Sequence, residues 1–179
     1  NLNNLPKLEK LDLSNNEIAK IENLDNLSNL QVLYLENNQI NNIENLENLP
    51  NLLGLNLSVN QISKIENLNK VNGLIGIDLS HNRISKIENL NLLPKLTDLV
   101  LSYNKIFILE NLNELPSLIW LSLSKNSIVN IENSIDLPCL EDLYLKDNQI
   151  AKLKNLDKLP KLIRLDLENN KLAKIENLD

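Results

Sequence analysis

The sequence predicts an α/β solenoid, an arc with a parallel β-sheet on its concave side and 3₁₀ turns on its convex side. Three observations carry that prediction. The frame L-x-x-L-x-L-x-x-N-x-I-x-x-I-E-N-L-x-x-L, first complete from Leu8, returns every 22 residues without insertion or deletion. Its L-x-L segment alternates with period two, as a strand on a half-buried sheet does. Its last leucines stand three apart, the spacing of a 3₁₀ turn. Self-similarity at a period of about 20–50 residues marks stacked units, each too small to bury its apolar face alone.

The units begin at residues 8, 30, 52, 74, 96, 118, 140 and 162, so a single domain spans 1–179 with a partial repeat at 1–7. Eight exceed the roughly three that such a stack needs. The chain starts and stops within a unit and carries no polar cap at either end, which reads as a piece of a longer protein or an incompletely ordered one.

Along the first unit, Leu11 and Leu13 are expected to face the core, and Lys10, Asp12 and Ser14 to face outward. Every unit supplies this short strand in the same direction, so the sheet is parallel, with neighbours about 4.8 Å apart. The chain then turns at Asn16, a seat refilled by Asn38, Asn60, Asn82, Asn104, Asn126, Asn148 and Asn170. A buried amide there can bond the free backbone groups of its own loop and the next. Leaving such a group unmet costs about 1–3 kcal/mol, so the column reads as a structural ladder. Asn15, one place earlier, is expected to matter much less.

Ile18 and Ile21 return to the core. Asn23 fits the N-cap of a short helical turn. Leu24 and Leu27 lie on that turn, and proline ends it at Pro50, Pro94, Pro116, Pro138 and Pro160. In the sixth unit Ser134 takes a leucine seat, and Ile135 is expected to fill the gap.

The recurrent L-x-x-L-x-L-x-x-N-x-I is identified as a leucine-rich repeat. The 22-residue length and the I-x-K-I-E-N-L stretch, at Ile18 to Leu24, Ile62 to Leu68 and Ile84 to Leu90, are narrower. They resemble the class typified by the leucine-rich-repeat regulatory subunit of type-1 protein phosphatase. The resemblance covers essentially the whole chain. It implies a right-handed arc and a role in binding another protein, with the type-1 phosphatase catalytic subunit as the partner the resemblance points to. In the outward row at the middle of L-x-L, Asp12, Tyr34, Tyr144 and Asp166 share the acidic and aromatic character of that regulator's concave face. Asn56, Val100 and Ser122 depart from it.

Composition excludes other classes. The formal charge is −6 and no basic face is evident, which argues against a nucleic-acid binder. No run of about 20 apolar residues exists to span a membrane. Cys139 is the only cysteine, so no disulfide can form within the chain, and a reducing, intracellular compartment is favoured. His81 is the only histidine, and no second His or Cys cluster could complete a transition-metal site. No nucleophile with an arranged base is evident. The expectation is therefore a non-enzymatic scaffold without cofactor or metal. The lysine and glutamate columns of the flank read as a solvated surface.

The candidate partner site lies on the outward rows of the sheet. Trp120, the only tryptophan, is expected near Tyr103 and Tyr144, within roughly 10 Å across strands of this spacing. Asp98 and Asp142 flank it in its own column, and Arg164 follows. Interface hot spots favour Trp, Tyr and Arg. Gly54 and Gly76 neighbour each other on the same face and suggest a shallow hollow beside Val32 and Tyr34. Asp78 and Asp166 complete the row. A competing patch is Phe107 and Ile108 on the flank. The alternative function is a structural module of a larger cytoskeletal or ciliary assembly, or the recognition part of a longer protein.

Overall fold

The computed structural model describes residues 5–131, 136–154 and 156–174 of the 179. The expected exchange at Ser134 and Ile135 lies outside the described residues.

One strand comes from each unit: β1 (Lys10–Asp12), β2 (Val32–Tyr34), β3 (Gly54–Asn56), β4 (Gly76–Asp78), β5 (Asp98–Val100), β6 (Trp120–Ser122), β7 (Asp142–Tyr144) and β8 (Arg164–Asp166). They form one sheet in chain order, every pair parallel. The register is one whole repeat, as in Leu55 opposite Ile77 and Leu99 opposite Leu121. Each strand is three residues long, and its central leucine or isoleucine points into the core. Leu33, Leu99, Leu121 and Leu143 are fully buried there, with the residues on either side facing outward.

Behind the sheet the core is a set of parallel columns, such as Leu35, Leu57, Leu79, Leu101, Leu123 and Leu145. The convex side carries successive turns closed by i to i+3 backbone bonds, as where Leu27 N–H donates to Leu24 C=O at 3.0 Å and Leu30 N–H to Leu27 C=O at 2.9 Å. In the seventh unit these turns close into a 3₁₀ helix at Leu156–Lys158.

The asparagine ladder is present. Asn82 Nδ2 donates to the carbonyls of Leu57, Leu79 and Ser80 at 2.9, 3.1 and 3.0 Å, and its Oδ1 accepts from Ile62 N–H at 2.9 Å. One side chain thus ties its own turn to the preceding unit. The place before it has a conformational requirement of its own. Asn15, Asn37, Val59, His81, Tyr103, Lys125, Asp147 and Asn169 all hold left-handed backbone, with φ between 53° and 58°.

A second correction concerns the Asn23 column. Asn23, Asn45, Asn67, Asn89 and Asn111 have φ between 57° and 60°, whereas an N-cap residue sits in the β region. Asn45 Nδ2 instead donates to the Ile21 carbonyl at 2.6 Å, and Asn67, Asn89 and Asn111 donate to Ile43, Ile65 and Ile87 at 2.7 Å. The column is a second inter-repeat ladder. Asn suits it because it tolerates the left-handed region better than most side chains.

Candidate binding surface on the sheet

Alternation puts two residues of every strand on the open face of the sheet. On β6 these are Trp120 and Ser122, and on β7 Asp142 and Tyr144. Trp120 is only half-buried and leans across to Tyr144, with ring centroids 4.7 Å apart and planes tilted by 36°. Arg164 on β8 completes the cluster. Its Nη1 bonds Asp142 Oδ1 at 2.9 Å and lies 3.5 Å from the Tyr144 hydroxyl. Both partners hold the guanidinium above its ordinary pKa, the Tyr144 hydrogen bond first and the charge of Asp142 next. The result is an aromatic pair with an anchored cation at its edge.

Tyr103 faces elsewhere. It is about half exposed and stacks on His81, with centroids 3.9 Å apart and planes within 14°. These two residues share one column, a repeat apart. Their 22-residue separation was the sequence signal for this contact, but the identity of the partner emerges only from the fold. Below them in the same column, Lys125 Nζ pairs with Asp147 Oδ2 at 2.8 Å. The bond raises the Lys125 pKa and lowers that of Asp147, which also accepts from Asn169. Lys146 pairs with Glu168 at 2.6 Å.

At the other end of the face, Lys10 Nζ sits 4.9 Å above the centre of the Tyr34 ring. Between the two ends lies a barer stretch. Gly54 and Gly76 pair directly across β3 and β4. Neither has positive φ, and a methyl group at either would meet only ordinary contacts: Val32 at 3.6 Å for Gly54 and Asp98 at 3.8 Å for Gly76. Asp78 and Asp98 stand beside them. Asp78 Oδ1 accepts from Ser80 N–H at 2.8 Å and Asp98 Oδ2 from the Thr97 hydroxyl at 2.6 Å. Asp166 at the far end accepts from Glu168 N–H at 3.0 Å.

The flank carries its own apolar exposure at Phe107, Ile108 and Val129. Among the described residues no group of three His, Cys, Asp or Glu side chains could hold a metal ion. No helix among them is long and apolar enough to cross a membrane.

A stack of equivalent units with a bare sheet face is a repeat solenoid of the binding-scaffold class. Two family models agree: the leucine rich repeat model matches residues 1–40, and the two-copy leucine rich repeats model matches 28–70 and 140–179. This chain belongs to the leucine-rich repeat family. No curated protein sequence matches it. Among solved structures it is similar to internalin C2 of Listeria monocytogenes, at 29% identity and TM-score 0.86 over 93% of this chain and 74% of that one. It is similar to internalin F of the same organism at 31% identity and TM-score 0.86, over 94% of this chain and 50% of that one. TLR13, solved in complex with ssRNA13, matches at 27% identity and TM-score 0.76 over 85% of this chain and 23% of that one. The chain thus spans about half of internalin F and about a quarter of TLR13.

Proposed function

We propose that this chain is a non-enzymatic scaffold that holds a protein partner on its open sheet face, with Trp120 and Tyr144 as the anchor. The observation that carries the reading is their contact. Two large aromatic side chains pack on each other outside the core, braced by the Asp142–Arg164 pair. Such a cluster of aromatic and Arg side chains is the composition of an interface hot spot. The remaining assigned positions are Tyr34, Gly54, Gly76, Asp78, Asp98 and Asp166 along the face, and Tyr103 beside His81 in the turn column.

The finer form of the proposal is regulation of type-1 phosphatase in an intracellular compartment. It rests on the I-x-K-I-E-N-L likeness and on the lone cysteine. Titration calorimetry with the phosphatase catalytic subunit tests it directly, and no measurable heat of binding removes it. An RNA partner of the kind bound to TLR13 fits poorly, because Asp78 and Asp98 would face its phosphates without an intervening cation.

Trp120→Ala is expected to weaken partner binding by about 2 kcal/mol or more. The melting temperature should stay within a degree or two, since the side chain lies outside the core. The competing surface is the exposed flank at Phe107 and Ile108. If Phe107→Ala carries the loss and Trp120→Ala is silent against the same partner, the assignment to the open face is wrong.

A further inference from the structure

The Trp120 anchor leaves the middle of the same face unexplained, and that region differs from both ends. At one end Lys10 covers Tyr34, and at the other Arg164, Lys125 and Lys146 are paired with Asp142, Asp147 and Glu168. Among the described residues, the central carboxylates Asp78 and Asp98 have no cation within ion-pair distance. Asp98 is exposed and Asp78 half-buried. Next to them the paired glycines remove two side chains from the floor. The fold does not require this, because a methyl group fits at both positions and both backbones are ordinary strand. Glycine weakens a strand, so two in register on one open face cost stability without any local structural need.

We infer that this hollow is a docking site for an extended segment of a partner protein that carries a bulky apolar side chain and, two residues away, an arginine or lysine. The inference rests on the binding face proposed above and specifies the chemistry it selects. Val32 walls the hollow on one side and Asp98 on the other, so an apolar group entering beside Val32 has an acidic neighbour. The spacing is consistent. From midway between Gly54 and Gly76 to Asp98 is one and a half strand steps, roughly 7 Å, and same-side residues of an extended peptide are also roughly 7 Å apart. One further strand reaches Trp120, roughly 12 Å from the start, where the residue four along would lie. A segment crossing the strands would thus set its apolar residue in the hollow, its cation between Asp78 and Asp98, and its next same-side residue on Trp120. The match of charge selects a basic occupant over an acidic one.

The test uses the whole chain and labelled synthetic nonapeptides read by fluorescence anisotropy. The panel holds a central Phe-x-Arg, the reversed Arg-x-Phe, and the counterparts Phe-x-Glu and Gly-x-Arg. One of the two Phe and Arg orders is expected to bind at least tenfold tighter than both counterparts. Gly76→Val, which fills the hollow with a good strand residue, should lower that affinity at least tenfold with no loss of thermal stability. Asp98→Asn should reduce the preference for Arg over Glu and leave the contribution of Phe. Equal affinity for the Arg and Glu peptides, full binding by Gly76→Val, or no binding by any peptide would each overturn the inference. Loss in Trp120→Ala with Gly76→Val silent would uphold the anchor while rejecting the hollow. The reverse pattern would uphold the hollow and reject the anchor.

Discussion

Asn82 shows how much a single side chain does in this molecule. Its amide meets three carbonyls and one N–H, drawn from two consecutive units and nine-tenths buried. Asn82→Leu has nearly the right volume and none of the bonds, so it should destabilise by about 1–3 kcal/mol in a thermal melt. Val59 presents the opposite case. It is β-branched, exposed and held at φ 54°, a conformation that costs roughly 1–2 kcal/mol outside glycine and asparagine. Its N–H is committed to the Ser80 carbonyl at 3.0 Å, so the stack enforces the strain. Val59→Asn should therefore raise the melting temperature, by about 1 kcal/mol of stability. A lowered melting temperature for that variant would show that the left-handed turn carries no strain there.

At the scale of the strand and its turn, each element is stable only through its neighbours. The inward residues of the inner strands are buried, whereas Leu11 of β1 and Leu165 of β8 remain partly exposed at the outer strands of the sheet. Amide hydrogens of β1 and β8 should exchange faster than those of β4 and β5 in the isolated chain. Uniform protection across the sheet would mean that a second copy or a partner covers the outer strands. The turns are linked from unit to unit as well, by the Lys125–Asp147 pair. Asp147 has a lowered pKa in the folded state, caused first by the hydrogen bond from Lys125 and next by that from Asn169. Its contribution is therefore present above the ordinary value of 3.8 and is lost as pH falls below it. Wild type and Asp147→Asn should differ in melting temperature at neutral pH and converge in strong acid. A gap that persists unchanged into strong acid would remove the charge from the explanation.

Over the whole molecule, strands pair only with the units on either side, in strict chain order. Stability is then close to a sum of repeat and nearest-neighbour terms. Leu99, fully buried at the centre of β5, tests this. Leu99→Ala should cost about 2–5 kcal/mol, with amide protection falling most in β4 to β6 and least in β1. An equal fall everywhere would show that the stack unfolds as one unit. The same linear build separates the two candidate surfaces: the strand faces carry Trp120 and the glycine hollow, while the flank carries Phe107, Ile108 and Val129. Changes on one surface should leave the other's binding untouched.

The sequence by itself determined the architecture, because an uninterrupted 22-residue frame allows only one register. The core leucines, the strand positions and the first asparagine ladder were legible for that reason. So were the outward columns, which placed Trp120, Tyr144, Asp142 and Arg164 on one face. The second ladder is visible in the sequence as a column but not as a ladder. Asn recurs at Asn23, Asn45, Asn67, Asn89 and Asn111, and helix caps and left-handed turns both favour it, so composition alone did not separate them. The tertiary structure decided which side chains meet. Trp120 pairs diagonally with Tyr144, and Tyr103 turns to His81 in its own column. Those choices depend on rotamers and on a strand spacing short enough for long side chains to reach diagonal neighbours. A one-dimensional pattern fixes the column of each residue but not the direction its side chain takes within the face.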